Sequence, residues 1–81
     1  MAEYLLRTLR CRNANRPGVF GRLATAMGQT GANLGDIRTV WVGPEHIVRD
    51  VDILVESAAM LDQTIEAVRE VEGIDLLEVI D

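Results

Sequence analysis

The 81-residue sequence predicts a single α+β domain in which two helices cover one face of a four-stranded antiparallel sheet. Apolar residues alternate with polar ones in the segments predicted as strands, and they recur at helical spacing in two others. The resulting order is β-α-β-β-α-β. Residues 1–81 contain no repeat longer than this unit, no low-complexity stretch and no internal linker. Together these observations predict the split-βαβ, or ferredoxin-like, plan.

The first half of the chain predicts a strand followed by a helix. Alternation over residues 4–12 places Leu5, Leu9 and Cys11 on one face and Thr8, Arg10 and Arg12 on the other. A helix follows, because one apolar stripe holds Phe20, Leu23, Ala24 and Met27. Pro17 is expected to be its first residue and Gly31 to end it. Gly28, near the end, predicts close packing against a neighbouring backbone or early fraying.

The second half predicts a hairpin, a helix and a last strand. Residues 34–42 and 46–56 flank the turn Gly43-Pro44-Glu45. Ser57 is expected to cap a helix whose apolar face holds Leu61, Ile65 and Val68. Gly73 is expected at the C′ position of that helix. The strand over residues 74–80 should then bury Leu76 and Val79.

The second face of the sheet is expected to be open to water or to another subunit. Its candidate members are Thr8, Arg10, Val40, Val42, Asp50 and Leu54. The sequence does not determine the register of the second strand, so the face of Trp41 stays open.

Composition narrows the function classes. The net charge of −5 argues against a nucleic-acid backbone as partner. No apolar run is long enough to cross a bilayer, and no basic segment precedes an apolar one at the start, so we expect a cytoplasmic protein with no membrane partner. The lone Cys11 is expected to be a buried structural thiol. One small domain is too short for an enzyme with a separate substrate lobe.

Catalytic and cofactor motifs are weak. His46 and Cys11 are 35 positions apart with no nucleophile motif nearby, and one Cys with one His cannot form a zinc site. Asp50 and Asp52 share a strand face and form a carboxylate pair, a hard-cation site or, as we favour, a solvated surface. Phosphate and dinucleotide loops are lacking. The Gly18-Val19-Phe20-Gly21 tetrad only weakly matches an RNA-binding GxxG loop. We therefore expect no catalysis, metal or cofactor in this domain.

The most informative segment is Asn15-Arg16-Pro17-Gly18-Val19-Phe20. The first amides of a helix lack intrahelical acceptors, and the helix dipole makes that end positive, so a carboxylate fits there. Arg16 is a poor cap, which predicts open amide donors at Gly18, Val19 and Phe20. The alternative is that Asn15 or water caps the helix.

With Ala32-Asn33-Leu34 after Gly31, this loop resembles the ACT domain, a regulatory module attached to metabolic enzymes, over residues 5–80. The resemblance implies a homodimer that binds an amino acid between copies. It implies a site made of Asn15, Pro17, Gly18, Val19, Phe20, Asn33 and Leu34. In it, the amides of Val19 and Phe20 would hold a carboxylate, Asn33 would bind a polar end, and Phe20 or Leu34 would wall the pocket.

Residues 15–22, Asp36-Ile37-Arg38 and Val48-Arg49-Asp50-Val51 further resemble the N-terminal ACT extension of bacterial NAD-dependent malic enzymes. That resemblance implies a fragment of a larger enzyme, whose catalytic domain would be a partner and would carry the malate, metal and NAD residues. Two functions follow for the domain. It is either a ligand-sensing regulator of the attached enzyme or a structural dimerisation domain without a ligand.

Overall fold

The computed structural model describes residues 4–81 and confirms the predicted order of elements. The elements are β1 (Leu5–Ala14), α1 (Val19–Gln29), β2 (Asn33–Val42), β3 (His46–Val55), α2 (Ala58–Arg69) and β4 (Ile74–Ile80). The strands form one antiparallel sheet in the order β2-β3-β1-β4. The central strands are therefore β1 and β3, and the edge strands are β2 and β4.

The core lies between the helices and one face of the sheet. Central strands and helices contribute the fully buried apolar side chains Leu9, Cys11, Val19, Leu23, Met27, Val51, Ile53, Val55 and Val68. The predicted stripe of α1 is confirmed at Leu23 and Met27. Phe20, however, is only partly buried, because the helix begins at Val19 and that residue starts the buried stripe.

The second helix and last strand follow the prediction in part. Ser57 caps α2, since its Oγ accepts a hydrogen bond from the amide of Met60 at 3.1 Å. Gly73 is not the C′ residue, because the helix ends with Glu70 as C-cap and Gly73 takes a φ of 88° in the following turn. In β4 the buried residue is Ile74, whereas Val79 is exposed.

The register of β2 answers the open question about Trp41. A bulge between Thr39 and Trp41 pairs Trp41 with Val48, on the face of the sheet away from the helices. The same bulge pairs Val42 with Ile47, so Val42 was wrongly predicted on the open face. The indole of Trp41 lies against Gly43, where any Cβ atom would overlap it.

Gly28 packs against nothing that would exclude a side chain. A Cβ atom at this position would meet no heavy atom within 4 Å, so the predicted close packing is wrong. Alanine loses less conformational entropy in a helix than glycine, so Gly28→Ala should raise the free energy of unfolding by about 0.5–1 kcal/mol in urea titrations. Gly31→Ala should lower it instead, because Gly31 has a φ of 91°. A loss of stability in Gly28→Ala would contradict this account.

Across residues 4–81, neither helix has the length and apolar character that crossing a bilayer requires.

Candidate functional site

The loop between β1 and α1 is shaped by a left-handed glycine. Gly18 is the N-cap of α1 with a φ of 86°, a conformation that side-chain-bearing residues rarely adopt. Pro17 therefore lies in the preceding turn. The prediction that Pro17 is the first helical residue is wrong, because α1 begins at Val19. A glycine is required here by the backbone itself, so replacing Gly18 would strain the loop whether or not a ligand approaches it.

Asn15 fastens this loop to the hairpin turn. Its Nδ2 donates to the carbonyl oxygen of Gly43 at 3.0 Å, and its amide donates to the carbonyl oxygen of Glu45 at 2.9 Å. The amide of Ala14 donates to the carbonyl oxygen of Gly73 at 2.7 Å. No side chain caps α1 within the described chain, so the alternative in which Asn15 caps the helix is wrong.

The amides at the start of α1 are largely unoccupied. The amide of Val19 donates to the carbonyl oxygen of Arg16 at 3.4 Å, so this predicted donor is already used. The amides of Gly18, Phe20 and Gly21 contact no protein acceptor among residues 4–81. The end of the helix thus keeps three donors and the positive end of its dipole for an anion.

A cleft of about 390 Å³ lies at these amides. It is lined by Ala14, Asn15, Arg16, Pro17, Gly18, Phe20, Gly21, Ile47 and Arg49. Four of the seven site residues predicted from the sequence are among them: Asn15, Pro17, Gly18 and Phe20. Val19 is not, because its side chain is 1% exposed and packs in the core.

Asn33 and Leu34 lie at the far end of the sheet from the cleft. Asn33 pairs with Leu54 on β3, whereas the cleft-lining Ile47 lies seven residues away on the same strand, roughly 23 Å along it. Both side chains are exposed on the edge strand β2. Within one chain the two predicted halves of the site are therefore apart.

Two arginines that the site prediction did not include line the cleft. The guanidinium carbon of Arg49 lies 4.9 Å from the centre of the Phe20 ring, a cation–π arrangement that orients the guanidinium group while leaving its N–H groups available. Arg49 pairs with Cys11 and so occupies a helix-facing position of β3. The sequence signal for Arg49 is a charged residue at a position where the alternation of β3 predicts an apolar core residue.

Asn13 is a second polar residue on the helix-facing side. Its side chain is 1% exposed, and neither its Nδ2 nor its Oδ1 has a hydrogen-bond partner among the described residues. It pairs across the strands with Ile47 and Ile74, so it lies beside the cleft-lining Ile47 on the same face of the sheet. A buried amide without partners costs free energy, which makes this position unusual in an otherwise apolar core.

The Asp50 and Asp52 carboxylates are occupied by arginines of the open face. Arg10 donates to both oxygens of Asp50 at 2.8 and 3.0 Å, and Arg38 donates to both oxygens of Asp52 at 3.0 and 2.7 Å. Thr8 adds a bond to Asp52 at 2.7 Å. These bonds lower the pKa of both carboxyls. Neither is free for acid–base chemistry, and no group of three or more metal-ligating side chains occurs in residues 4–81.

Cys11 is a buried thiol, as predicted. Desolvation raises its pKa to about 12, so it stays protonated and unreactive near neutral pH.

The ion pairs Arg10–Asp50 and Arg38–Asp52 predict a fold that loses stability in acid. A carboxyl with a lowered pKa in the folded state stabilises the fold above its unfolded pKa of about 3.9, and this contribution is lost as the pH falls through the folded value. The free energy of unfolding should therefore fall below about pH 4 in urea titrations. Asp52→Asn should weaken this dependence. Asp62→Asn, an exposed control without an ion pair in the described structure, should leave it unchanged; equal effects would contradict the assignment.

The fold is that of ACT domains. The chain superposes on the crystal structure of the ACT domain from GTP pyrophosphokinase of Chlorobium tepidum with a TM-score of 0.78 at 15% identity, covering 96% of this chain and all of that one. It also matches a homoserine dehydrogenase from Thiobacillus denitrificans, with a TM-score of 0.74 at 16% identity over 98% of this chain and 17% of that one. A third match is a putative glycine cleavage system transcriptional repressor, with a TM-score of 0.74 at 15% identity over 96% of this chain and 47% of that one. The predicted ACT resemblance is thereby confirmed at the level of the fold.

The sequence itself is similar to part of a particular enzyme. It is 39% identical over 82 residues to NAD-dependent malic enzyme 1 of Bacillus subtilis (strain 168), covering the whole of this chain. The predicted resemblance to malic enzymes is thereby confirmed. The chain spans about a fifth of the length of that relative, 19%. No family model matches it.

Proposed function

We propose that this chain is a small-molecule-binding regulatory domain of a malic enzyme, with the ligand held in the cleft at the start of α1. The cleft combines free amides at Gly18, Phe20 and Gly21 with a wall formed by Phe20. Oriented backbone donors at a helix N-terminus suit a carboxylate, as in an amino acid. The similarity to a malic enzyme supports an attached enzyme as the target of regulation.

Gly21 offers a direct test of the cleft. It lines the cleft, and a Cβ atom there would meet nothing within 4 Å, so the first carbon of a side chain displaces no neighbour and the atoms beyond it are expected to occupy the cleft. Gly21→Leu should abolish ligand binding while the domain stays folded. Gly28→Leu makes the same change two turns further along the helix, outside the cleft, and should bind normally.

The measurement is a thermal shift and calorimetric screen of the 81-residue chain against amino acids and small carboxylic acids. A ligand at about 100 times its dissociation constant should add about 2.7 kcal/mol to the free energy of unfolding. If no ligand stabilises the chain, the structural dimerisation function is favoured instead. If Gly21→Leu binds as well as Gly28→Leu, the ligand binds elsewhere.

We also propose that the domain forms a homodimer in which Asn33 and Leu34 of a second copy complete the site. Their distance from the cleft within one chain supports this arrangement. The edge strand β2 supports it too, because all ten of its residues are exposed and Ile37, Val40 and Trp41 among them are large and apolar. Sedimentation should find a dimer that Ile37→Lys weakens. A monomer at all concentrations would exclude the arrangement.

A further inference from the structure

The arginines of this chain divide into two groups by their partners. Five of the eight form ion pairs with carboxylates, namely Arg7, Arg10, Arg12, Arg38 and Arg69. The other three form none with any carboxylate in residues 4–81. These are Arg16, Arg22 and Arg49.

All three of these arginines lie at the cleft. Arg16 and Arg49 line it. The Nη1 atom of Arg22 is 3.4 Å from the position that a Cβ atom on Gly18 would take. Every other guanidinium group pairs with a carboxylate. The guanidinium groups that have no such partner among residues 4–81 are therefore concentrated at this one place, beside the positive end of α1.

The cleft has no matching negative group. None of its nine lining residues is Asp or Glu, and the Nδ2 of Asn15 is already bonded to the hairpin turn. An amino acid zwitterion brings an ammonium group that needs acceptors and is repelled by guanidinium groups. A second carboxylate in the same position would instead receive charge-assisted, bidentate hydrogen bonds from arginine.

We propose that the ligand of this cleft is a doubly negative dicarboxylate of about four carbons, selected over zwitterionic amino acids; this inference rests on the proposed function. One carboxylate binds the free amides of Gly18, Phe20 and Gly21. The other binds Arg49, which is held in place over Phe20, with Arg16 beside it. Malate, which the name of the related enzyme points to, belongs to this chemical class.

Two probes of the same carbon number separate the charge types. Succinate carries two carboxylates, whereas 4-aminobutyrate carries one carboxylate and one ammonium group. Calorimetry with the 81-residue chain at low ionic strength should give succinate and L-malate at least about tenfold tighter binding than 4-aminobutyrate or L-alanine, as expected for a charge-assisted hydrogen bond gained. Sulfate, a dianion with no carbon chain, should bind more weakly than succinate.

Variants locate the second carboxylate. Arg49→Met keeps an apolar stem against Phe20 but removes the guanidinium, and it should weaken succinate binding about tenfold while leaving the affinity for 4-aminobutyrate unchanged or higher. Arg16→Gln, at an exposed position, tests the same point if Arg49→Met fails to fold. Arg7→Gln removes one positive charge near the other end of β1 and is the matched control. Arg7 lies four residues, roughly 13 Å, from Cys11, the strand partner of Arg49, and it does not line the cleft.

The outcomes distinguish this inference from the proposed function. Binding of 4-aminobutyrate or L-alanine as tight as that of succinate would overturn the dicarboxylate assignment and leave the regulatory site standing. So would sulfate binding as tight as succinate, or equal losses in Arg49→Met and Arg7→Gln. Absence of binding by every acid and amino acid tested would overturn both.

Discussion

Replacing Leu23 with alanine should lower the free energy of unfolding by about 2–5 kcal/mol. Leu23 is fully buried in the centre of α1, between the sheet and the rest of the core. Removing its side-chain carbons loses their transfer free energy and leaves a cavity that a packed core closes only in part. A domain of this length has a total stability of about 4–12 kcal/mol, so the change removes a large share of it.

The matched control is Leu77→Ala. Leu77 lies on β4 with 47% of its surface exposed, so the same chemical change should cost less than about 1 kcal/mol in the same urea titrations. Leu23→Ala should also disturb the ligand site, whereas Leu77→Ala should not. The reason is that α1 carries the Gly18–Gly21 amides and is fixed to the sheet through Leu23. Similar losses in the two variants would contradict the placement of the core.

Most of the fold could be predicted because local signals agree with the packing. The spacing of Leu23 and Met27 and the capping position of Ser57 depend only on helix geometry, and both are confirmed. The faces of Trp41 and Val42 could not be predicted. They depend on a one-residue bulge in β2, and a one-residue shift moves a side chain to the opposite face of the sheet.

The candidate site was only partly predictable for a related reason. Asn15, Pro17 and Gly18 follow from the turn that their own sequence specifies. The positions of Arg49 and Phe20 relative to each other depend on how α1 packs across β3, which no local pattern encodes. The sequence nevertheless contained a signal, because Arg49 and Asn13 are polar residues at helix-facing positions of central strands. Such breaks in a core pattern are typical of functional positions.

Replacing Asn13 with valine should raise the free energy of unfolding by about 1–3 kcal/mol. The Asn13 amide is buried without a hydrogen-bond partner among residues 4–81, so folding takes its polar atoms out of water with no compensation. Valine removes that cost, fills a similar volume and is favoured in strands. Equilibrium unfolding in urea measures the change, and an unaltered slope against urea concentration would show that the unfolding reaction is the same one.

Thr64→Val is the control that fixes the sign of this effect. Thr64 is as buried as Asn13, but its hydroxyl lies 2.8 Å from the carbonyl oxygen of Met60 and 2.6 Å from the hydroxyl of Thr30. The same loss of polarity should therefore lower stability by about 1–2 kcal/mol there. Opposite signs in the two variants would show that Asn13, beside the cleft-lining Ile47, is retained at a cost to stability. A loss of stability in both would mean that the Asn13 amide is hydrogen-bonded in solution, and its burial would then carry no such cost.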